Sequence, residues 1–315
     1  MDNVVTLTMN PTIDVGLSID RLVPDAKLRS DSVRREPGGG GINVARGIHK
    51  LGGEVCALFN GDEVYGGLLE TLLGQEGVPR RRLPIANRVR EGISLEVREA
   101  GELYHLVLPG PELTDGELEQ ALDAVAGRKP APAYLVASGS LPPGVADDFY
   151  ARLARVARER DIRFVLDSHG GPLRAALAEA VFLTKPNVRE FAELAGEEPA
   201  DAKHAAELSR AVLDRYPLEI LIVTLGERGA LMTTAEGQVY MRPPRTETLS
   251  PVGAGDSFIA ACVHQLATGG APRDALRAGV AGAAAAVTTP GTELFEVDSY
   301  REILEQTQEA DLQAN

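Results

Sequence analysis

Ser250-Pro251-Val252-Gly253-Ala254-Gly255-Asp256-Ser257 is the stretch of this 315-residue chain with the clearest chemical content. Two glycines separated by one small residue lead into an aspartate, and an apolar run from Phe258 to Val263 follows at once. Amide groups at a helix start have no partner within the helix, and they carry the positive end of its dipole. Such a turn can hold an anion while the Asp256 carboxylate stands beside it. The pairing suits group transfer: the amides of the turn would stabilise a charged group in flight, and Asp256 would take a proton from the nucleophile. The same turn is also the form of a plain loop with an Asp N-cap, so the rest of the chain must supply its partners.

A second glycine run, Pro37-Gly38-Gly39-Gly40-Gly41-Ile42-Asn43, precedes a stretch of helical spacing. Glycines let a backbone approach a ligand closely, because no side chain intervenes. The run is not a dinucleotide fingerprint, and it lacks the Lys and Ser or Thr of a Walker A loop. Asn43 can donate to and accept from sugar hydroxyls, and Asp14 can accept from two. Lys27, Arg29 and Arg90 supply cations, and a guanidinium matches a phosphate bidentately. Lys185-Pro186-Asn187 closes a strand-like run, with Glu190 three residues beyond Asn187. That spacing fits a capping box. It also fits a nucleotide site in which Glu190 orders water around Mg²⁺, a cation that prefers hard oxygen ligands and keeps part of its water shell.

These residues need a frame, and the chain's rhythm supplies one. Val4 to Met9 reads as a strand. Ile42, Val44, Ala45, Ile48 and Leu51 recur at helical spacing until Gly52-Gly53. Arg88 to Val97 and Leu103 to Leu108 form a hairpin around Ala100-Gly101-Glu102. Strand, loop and helix then alternate, with strand ends at Ser138, Asp167, Lys185 and Thr224. Such alternation predicts a mostly parallel sheet covered by helices, with ligands bound outside the carboxyl ends of the strands. The polar tail after about Glu305 predicts a frayed end. Apolar residues make up 44% of the chain and aromatics 4%, which suits a large aliphatic core. A net charge of −14 disfavours nucleic acid and anionic membranes as partners, so an anionic substrate requires a local group of cations. Cys56 and Cys262 lie in apolar contexts, which predicts a reducing, cytoplasmic setting. With no leader-like N-terminus and no long apolar run, a soluble protein is expected.

The motifs together resemble the ribokinase-type carbohydrate kinases, in the phosphofructokinase branch, and among these the minor bacterial ATP-dependent 6-phosphofructokinases. The resemblance runs from about Thr6 to Thr292. It is carried by Thr6-Leu7-Thr8 with Pro11 and Asp14, by Lys27-Leu28-Arg29, by Pro37 to Arg46, by Ser138 to Gly144, by Lys185-Pro186-Asn187 with Glu190, and by Val252 to Ser257. It implies one carbohydrate kinase domain over residues 1–315, a ribokinase-like three-layer α/β/α fold with a mostly parallel central sheet. A small β-sheet lid, from about 12–37 and 87–109, would be inserted in it and would clasp a second copy as a homodimer.

The implied activity is ATP-dependent phosphorylation of a phosphorylated ketohexose, fructose 6-phosphate to fructose 1,6-bisphosphate. Tagatose 6-phosphate and fructose 1-phosphate are the alternative acceptors. Fructose 1-phosphate relatives commonly carry a Lys inside the glycine loop, and the all-glycine run here favours a 6-phosphate. A non-catalytic sugar-phosphate-binding regulator is the alternative of another class. The resemblance implies Asp256 as the base and Gly253, Ala254 and Gly255 as the anion hole. Asp14, Gly39, Gly40, Asn43 and Ser140 would hold the sugar, with Lys27, Arg29 and Arg90 on phosphate. Lys185, Asn187, Thr224, Gly226, Gly229 and Thr248 would contact the nucleotide. Glu190 would organise Mg²⁺ through water, and carbonyls near Ser250, Val252 and Gly291 match a potassium site.

Overall fold

The computed structural model describes residues 3–289 and 294–312. The first half of the chain comprises β1 (Val4–Thr8), β2 (Thr12–Ile19), β3 (Ser32–Gly38), α1 (Gly40–Lys50), β4 (Val55–Gly61), α2 (Tyr65–Gln75), β5 (Arg80–Pro84), β6 (Arg90–Val97), β7 (Glu102–Val107), α3 (Asp115–Ala126), β8 (Tyr134–Ser138) and α4 (Phe149–Glu159). The second half comprises β9 (Arg163–Asp167), α5 (Gly170–Leu177), β10 (Val181–Thr184), α6 (Val188–Ala195), α7 (Ala202–Arg215), β11 (Leu218–Thr224), β12 (Ala230–Thr234), β13 (Gly237–Arg242), α8 (Ala254–Ala267), α9 (Pro272–Ala286), α10 (Val297–Gln306) and β14 (Gln308–Glu309).

The large sheet has the order β14-β13-β12-β11-β10-β9-β8-β1-β4-β5. From β5 to β11 the strands are parallel, and β12, β13 and β14 extend one edge in antiparallel fashion. Side chains on a strand alternate between faces. Along β8, Tyr134 and Val136 enter one half of the core, and Leu135 and Ala137 the other. Ile220 and Ile222 of β11 alternate likewise with Leu221 and Val223. Helices α1, α2, α8 and α9 cover the first face and α3 to α7 the second. Because both faces are covered, the strands read as unbroken apolar runs. Helices α8 and α9 are apolar on more than one side because α10 packs behind them through Tyr300 and Ile303.

The parallel direction puts the ends of β1, β8, β9, β10 and β11 at one edge. Above it stands a four-stranded sheet in the order β3-β2-β6-β7. Asp14 and Gly16 lie on one face of its strand β2, and Val15 and Leu17 on the other. The register continues the second face through Ile93 and Leu95 of β6 and through Tyr104 and Leu106 of β7. Leu106 is 50% exposed and Val33 53%. The root of β6 is tied to the large sheet by Asp62, at the end of β4. Its carboxylate accepts from the amides of Val64, Tyr65 and Gly66 at the start of α2, and from the amide of Val89 beside Arg90.

The C-terminal tail differs from the frayed end expected of its polar composition. Gln308 and Glu309 pair with β13, and the Ala310 amide donates to the Tyr240 carbonyl. Arg277 of α9 donates to the Thr307 carbonyl at 3.0 Å. Backbone pairing of this kind does not depend on apolar side chains, so the hydrophobic pattern carried no sign of it.

The start of α1 is pressed against β1. A Cβ on Gly41 would stand 2.5 Å from Thr8 Oγ1 and 2.7 Å from the Leu7 carbonyl oxygen. Overpacking against backbone costs about 1–3 kcal/mol. Gly41→Ala is therefore expected to lower the midpoint of thermal unfolding by several degrees, read by circular dichroism.

Candidate active site

Helix α8 begins at Gly253, whose φ of 77° lies in the left-handed region that glycine adopts without strain. No side chain caps this end, and the first helical bond runs from the Ser257 amide to the Gly253 carbonyl. The amides of Ala254, Gly255 and Asp256 therefore precede the first available acceptor and face outward. A Cβ on Gly255 would lie 3.5 Å from Lys185 Nζ, so a buried ammonium faces the same opening. Lys185 follows β10 directly, and its Nζ is 3.4 Å from Asp167 Oδ1 at the end of β9.

Asp256 is half-buried in the first turn of α8. Asn43 Nδ2 donates to its Oδ2 at 2.9 Å, and Ser138 Oγ donates to its Oδ1 at 3.4 Å. Burial pushes the carboxyl up to about 7. The Asn43 bond opposes that, the Asp167 charge adds to it, and Lys185 and Ser138 pull the other way. A carboxyl in this range can take a proton near neutral pH. Burial pushes Asp167 up as well, against Lys185 and with Glu190 adding to the push.

The glycine run is a packing device. A Cβ on Gly38 would fall 2.1 Å from Asp14 Oδ2, and one on Gly40 2.2 Å from Ser138 Oγ. Gly39, with φ of 110°, caps α1 and closes on Thr8 and Pro11. The run thus connects the lid to the end of β8. Asp14 is brought up to about 6, chiefly by burial, with Arg90 and Thr12 opposing. Arg90 is lowered by burial and held up by Asp14. Around them, Thr8 Oγ1, Asn10 Oδ1 and Arg90 Nε are buried without hydrogen-bond partners. Buried polar atoms are nearly always paired, and a ligand rich in hydroxyl and phosphate oxygens would pair these. Ser140 joins the group through a 3.3 Å bond from Asn10 Nδ2.

At the end of β10, Asn187 and Glu190 form a reciprocal capping box on α6, at 2.9 and 3.0 Å. Asn187 also bridges to Thr224, whose amide donates to the Pro186 carbonyl. Gly226 is exposed. Gly229 is buried with its amide and carbonyl spent inside its own loop, and a Cβ there would meet the Met241 carbonyl oxygen at 2.0 Å. Thr248 is exposed in the segment before Ser250. Ser250 is buried, and its Oγ accepts from the Val252 amide. Gly291 lies outside the described residues. Lys27 and Arg29 are exposed in the connection between β2 and β3, and neither forms an ion pair with another described residue. In the sequence, Ser138 and Asp167 read only as strand ends, without a role in the site, and Asn10 is not singled out. For Asp167 a signal existed: it ends a strand in the row of strand ends that carries the others.

The profile of the pfkB family carbohydrate kinases matches residues 3–298. The chain belongs to the PfkB family of carbohydrate kinases. It is an ATP-dependent sugar kinase, and its substrates are ATP and a sugar phosphate. The chain is 40% identical over 302 residues to an ATP-dependent 6-phosphofructokinase isozyme 2 of Mycobacterium tuberculosis, covering 96% of this chain and 89% of that one. It is 34% identical over 260 residues to a 1-phosphofructokinase of Xanthomonas campestris, covering 81% of each. Structures of phosphofructokinase-2 from Escherichia coli match 97% of this chain and 99% of theirs at 34% identity. The TM-score is 0.91 for its complex with potassium and 0.89 for its tetrameric inhibited form. The expected ribokinase-like α/β/α architecture with a separate small sheet is thereby met.

No helix among the described residues is long and apolar enough to cross a membrane. Among them, no group of three or more His, Cys, Asp or Glu is gathered to hold a metal ion.

A carboxyl raised to about 7 destabilises the native state above that pH, where it must ionise in place. The penalty fades as pH falls through 7 toward the ordinary 3.8. Asp256→Asn is expected to raise the unfolding midpoint above about pH 7, with the gain vanishing toward 3.8, measured by calorimetry across pH.

Proposed function

We propose that this kinase phosphorylates the C1 hydroxyl of fructose 6-phosphate, giving fructose 1,6-bisphosphate. One observation carries the reading: the Asp256 carboxylate sits at an uncapped helix start that a buried lysine faces, and it is hydrogen-bonded to Asn43 of the glycine run. The base, the anion hole and the acceptor site therefore meet at one atom group. Asp256 takes the proton of the acceptor hydroxyl. The amides around Gly253, Ala254 and Gly255, with Lys185, meet the charge that develops on the γ-phosphoryl group. Asp14, Gly39, Gly40, Asn43 and Ser140 hold the sugar. Arg90 reads its phosphate, with Lys27 and Arg29 brought in from the exposed connection.

Asn187, Thr224, Gly226, Gly229 and Thr248 border the nucleotide. Asp167, beside Lys185, and Glu190, whose charge acts on Asp167, are hard oxygen donors that fit the water shell of Mg²⁺. When bound, Mg²⁺ neutralises phosphate charge. Carbonyls at Ser250 and Val252 are the groups we assign to potassium, together with Gly291. The exposed apolar face of the lid, with Leu106 and Tyr104, supports a homodimer built through it. The buried positions of Cys56 and Cys262, in different halves of the core, fit a cytoplasmic enzyme.

Turnover of ATP with fructose 6-phosphate, tagatose 6-phosphate and fructose 1-phosphate tests the acceptor. We expect the highest kcat/KM for fructose 6-phosphate. A higher value for either competitor would reassign the substrate, and no ADP release with any of them would sink the kinase assignment for this chain. Asp256→Asn is expected to lower kcat by roughly 10²–10⁴-fold with ATP affinity retained. Arg90→Ala is expected to raise KM for the sugar phosphate while leaving KM for ATP within about twofold. Leu106→Glu is expected to shift the protein from dimer to monomer in light scattering, and a dimer that survives would remove the lid from the interface.

A further inference from the structure

We propose that Arg46, braced by Glu76, is a positioning residue that sets the amide of Asn43 against Asp256. This rests on the reading of Asp256 as the base. Arg46 lies on α1 one turn beyond Asn43 and is only 5% exposed. A guanidinium held that deep must have every donor direction answered. Its Nε and Nη2 each donate to one oxygen of Glu76 at 2.7 Å, a fork-to-fork pair. Its Nη1 donates to the Pro37 carbonyl at 3.2 Å and to Asn43 Oδ1 at 3.4 Å.

The last of these bonds decides the chemistry. A carboxamide has one accepting end and one donating end. With Oδ1 turned to Arg46, Nδ2 faces Asp256 Oδ2, at 2.9 Å. The reversed amide would set an oxygen against a carboxylate and an NH₂ against a guanidinium, so the cation on one side dictates a donor on the other. The bond to Pro37 holds the entry of the glycine run in the same frame. Asp256 is also faced by Ser138 from β8, by Lys185 after β10 and by Asp167 from β9, and none of these touches Arg46. The Asn43 bond stabilises the ionised carboxylate, so freeing the amide leaves burial less opposed.

The test uses the full-length enzyme with ATP and its best sugar phosphate. Arg46→Lys keeps the charge, which also bears on Asp14, but loses the fork. Glu76→Gln loosens the brace but leaves the guanidinium one accepting oxygen, at a side chain that is 33% exposed. We expect Arg46→Lys to lower kcat about tenfold with KM for ATP within about twofold, and Glu76→Gln to act in the same direction more weakly. We expect the acid limb of the kcat–pH profile to move to higher pH in both. In an Asn43→Ala background, Arg46→Lys should add little further loss, because the residue it orients is gone. An acid limb that stays in place overturns the proposal. So does a full additional loss in the Asn43→Ala background, and so does a lowered unfolding midpoint with unchanged kcat. Retained kcat in Asp256→Asn would sink the base assignment itself, whereas an inactive Asp256→Asn with an unaffected Arg46→Lys would sink this inference alone.

Discussion

A carboxylate must be kept out of bulk water and yet remain able to ionise, and the rest of the site follows from that demand. Asp256 meets it at the open end of α8, where burial raises its pKa and Asn43, Ser138 and Lys185 limit the rise. The groups that limit it arrive from three other elements: α1, the end of β8 and the segment after β10. The ionisation of Asp256 and the docking of these elements therefore rest on the same contacts, and one cannot be relaxed without altering the other.

Close approach of backbones makes this possible. Four consecutive glycines let the start of α1 lie on β1, on the end of β8 and under Asp14 at distances no side chain would permit. The run looks like a flexible connector only when each residue is taken by itself. In the folded chain it is among the most crowded segments. The lid is joined through the same region, by the Asp62 carboxylate at the root of β6 and by Gly38 against Asp14. A sugar phosphate bound there would touch both the lid and the core.

Charge follows the same logic at larger scale. The chain carries −14 overall, yet Lys185 is buried at the opening of α8 and Arg90 beside Asp14. Each of these cations is set against a carboxylate, Lys185 against Asp167 and Arg90 against Asp14, so the charge is locally paired while the acidic surface is screened. Lys27 and Arg29 stand apart from this group on an exposed connection, and their part depends on how that segment meets a ligand.

The primary sequence determined a good deal by itself. Strand–loop–helix alternation specified a parallel sheet, and parallel strands put every strand end on one edge. The two glycine motifs and their aspartate were legible as a pair because glycine and carboxylate chemistry is local. Helix α7 was not legible, since its buried stripe is Ala205, Ala206, Ser209 and Val212, small residues with little periodic contrast. The pairing of the tail was also missed, because backbone hydrogen bonds leave no hydrophobic signature; the β12–β13 hairpin did leave one, in Leu231, Met232, Tyr240 and Met241 on either side of Gly237. Only the tertiary structure decided which residues meet. Ser138 and Asp167 are ordinary strand ends until the sheet sets them beside Asp256 and Lys185. Arg46 is an ordinary helix residue until folding buries it among Glu76, Pro37 and Asn43. Contacts across 213 residues of chain, such as Asn43 to Asp256, depend on how helices dock on a sheet, and spacing along the sequence does not encode that distance.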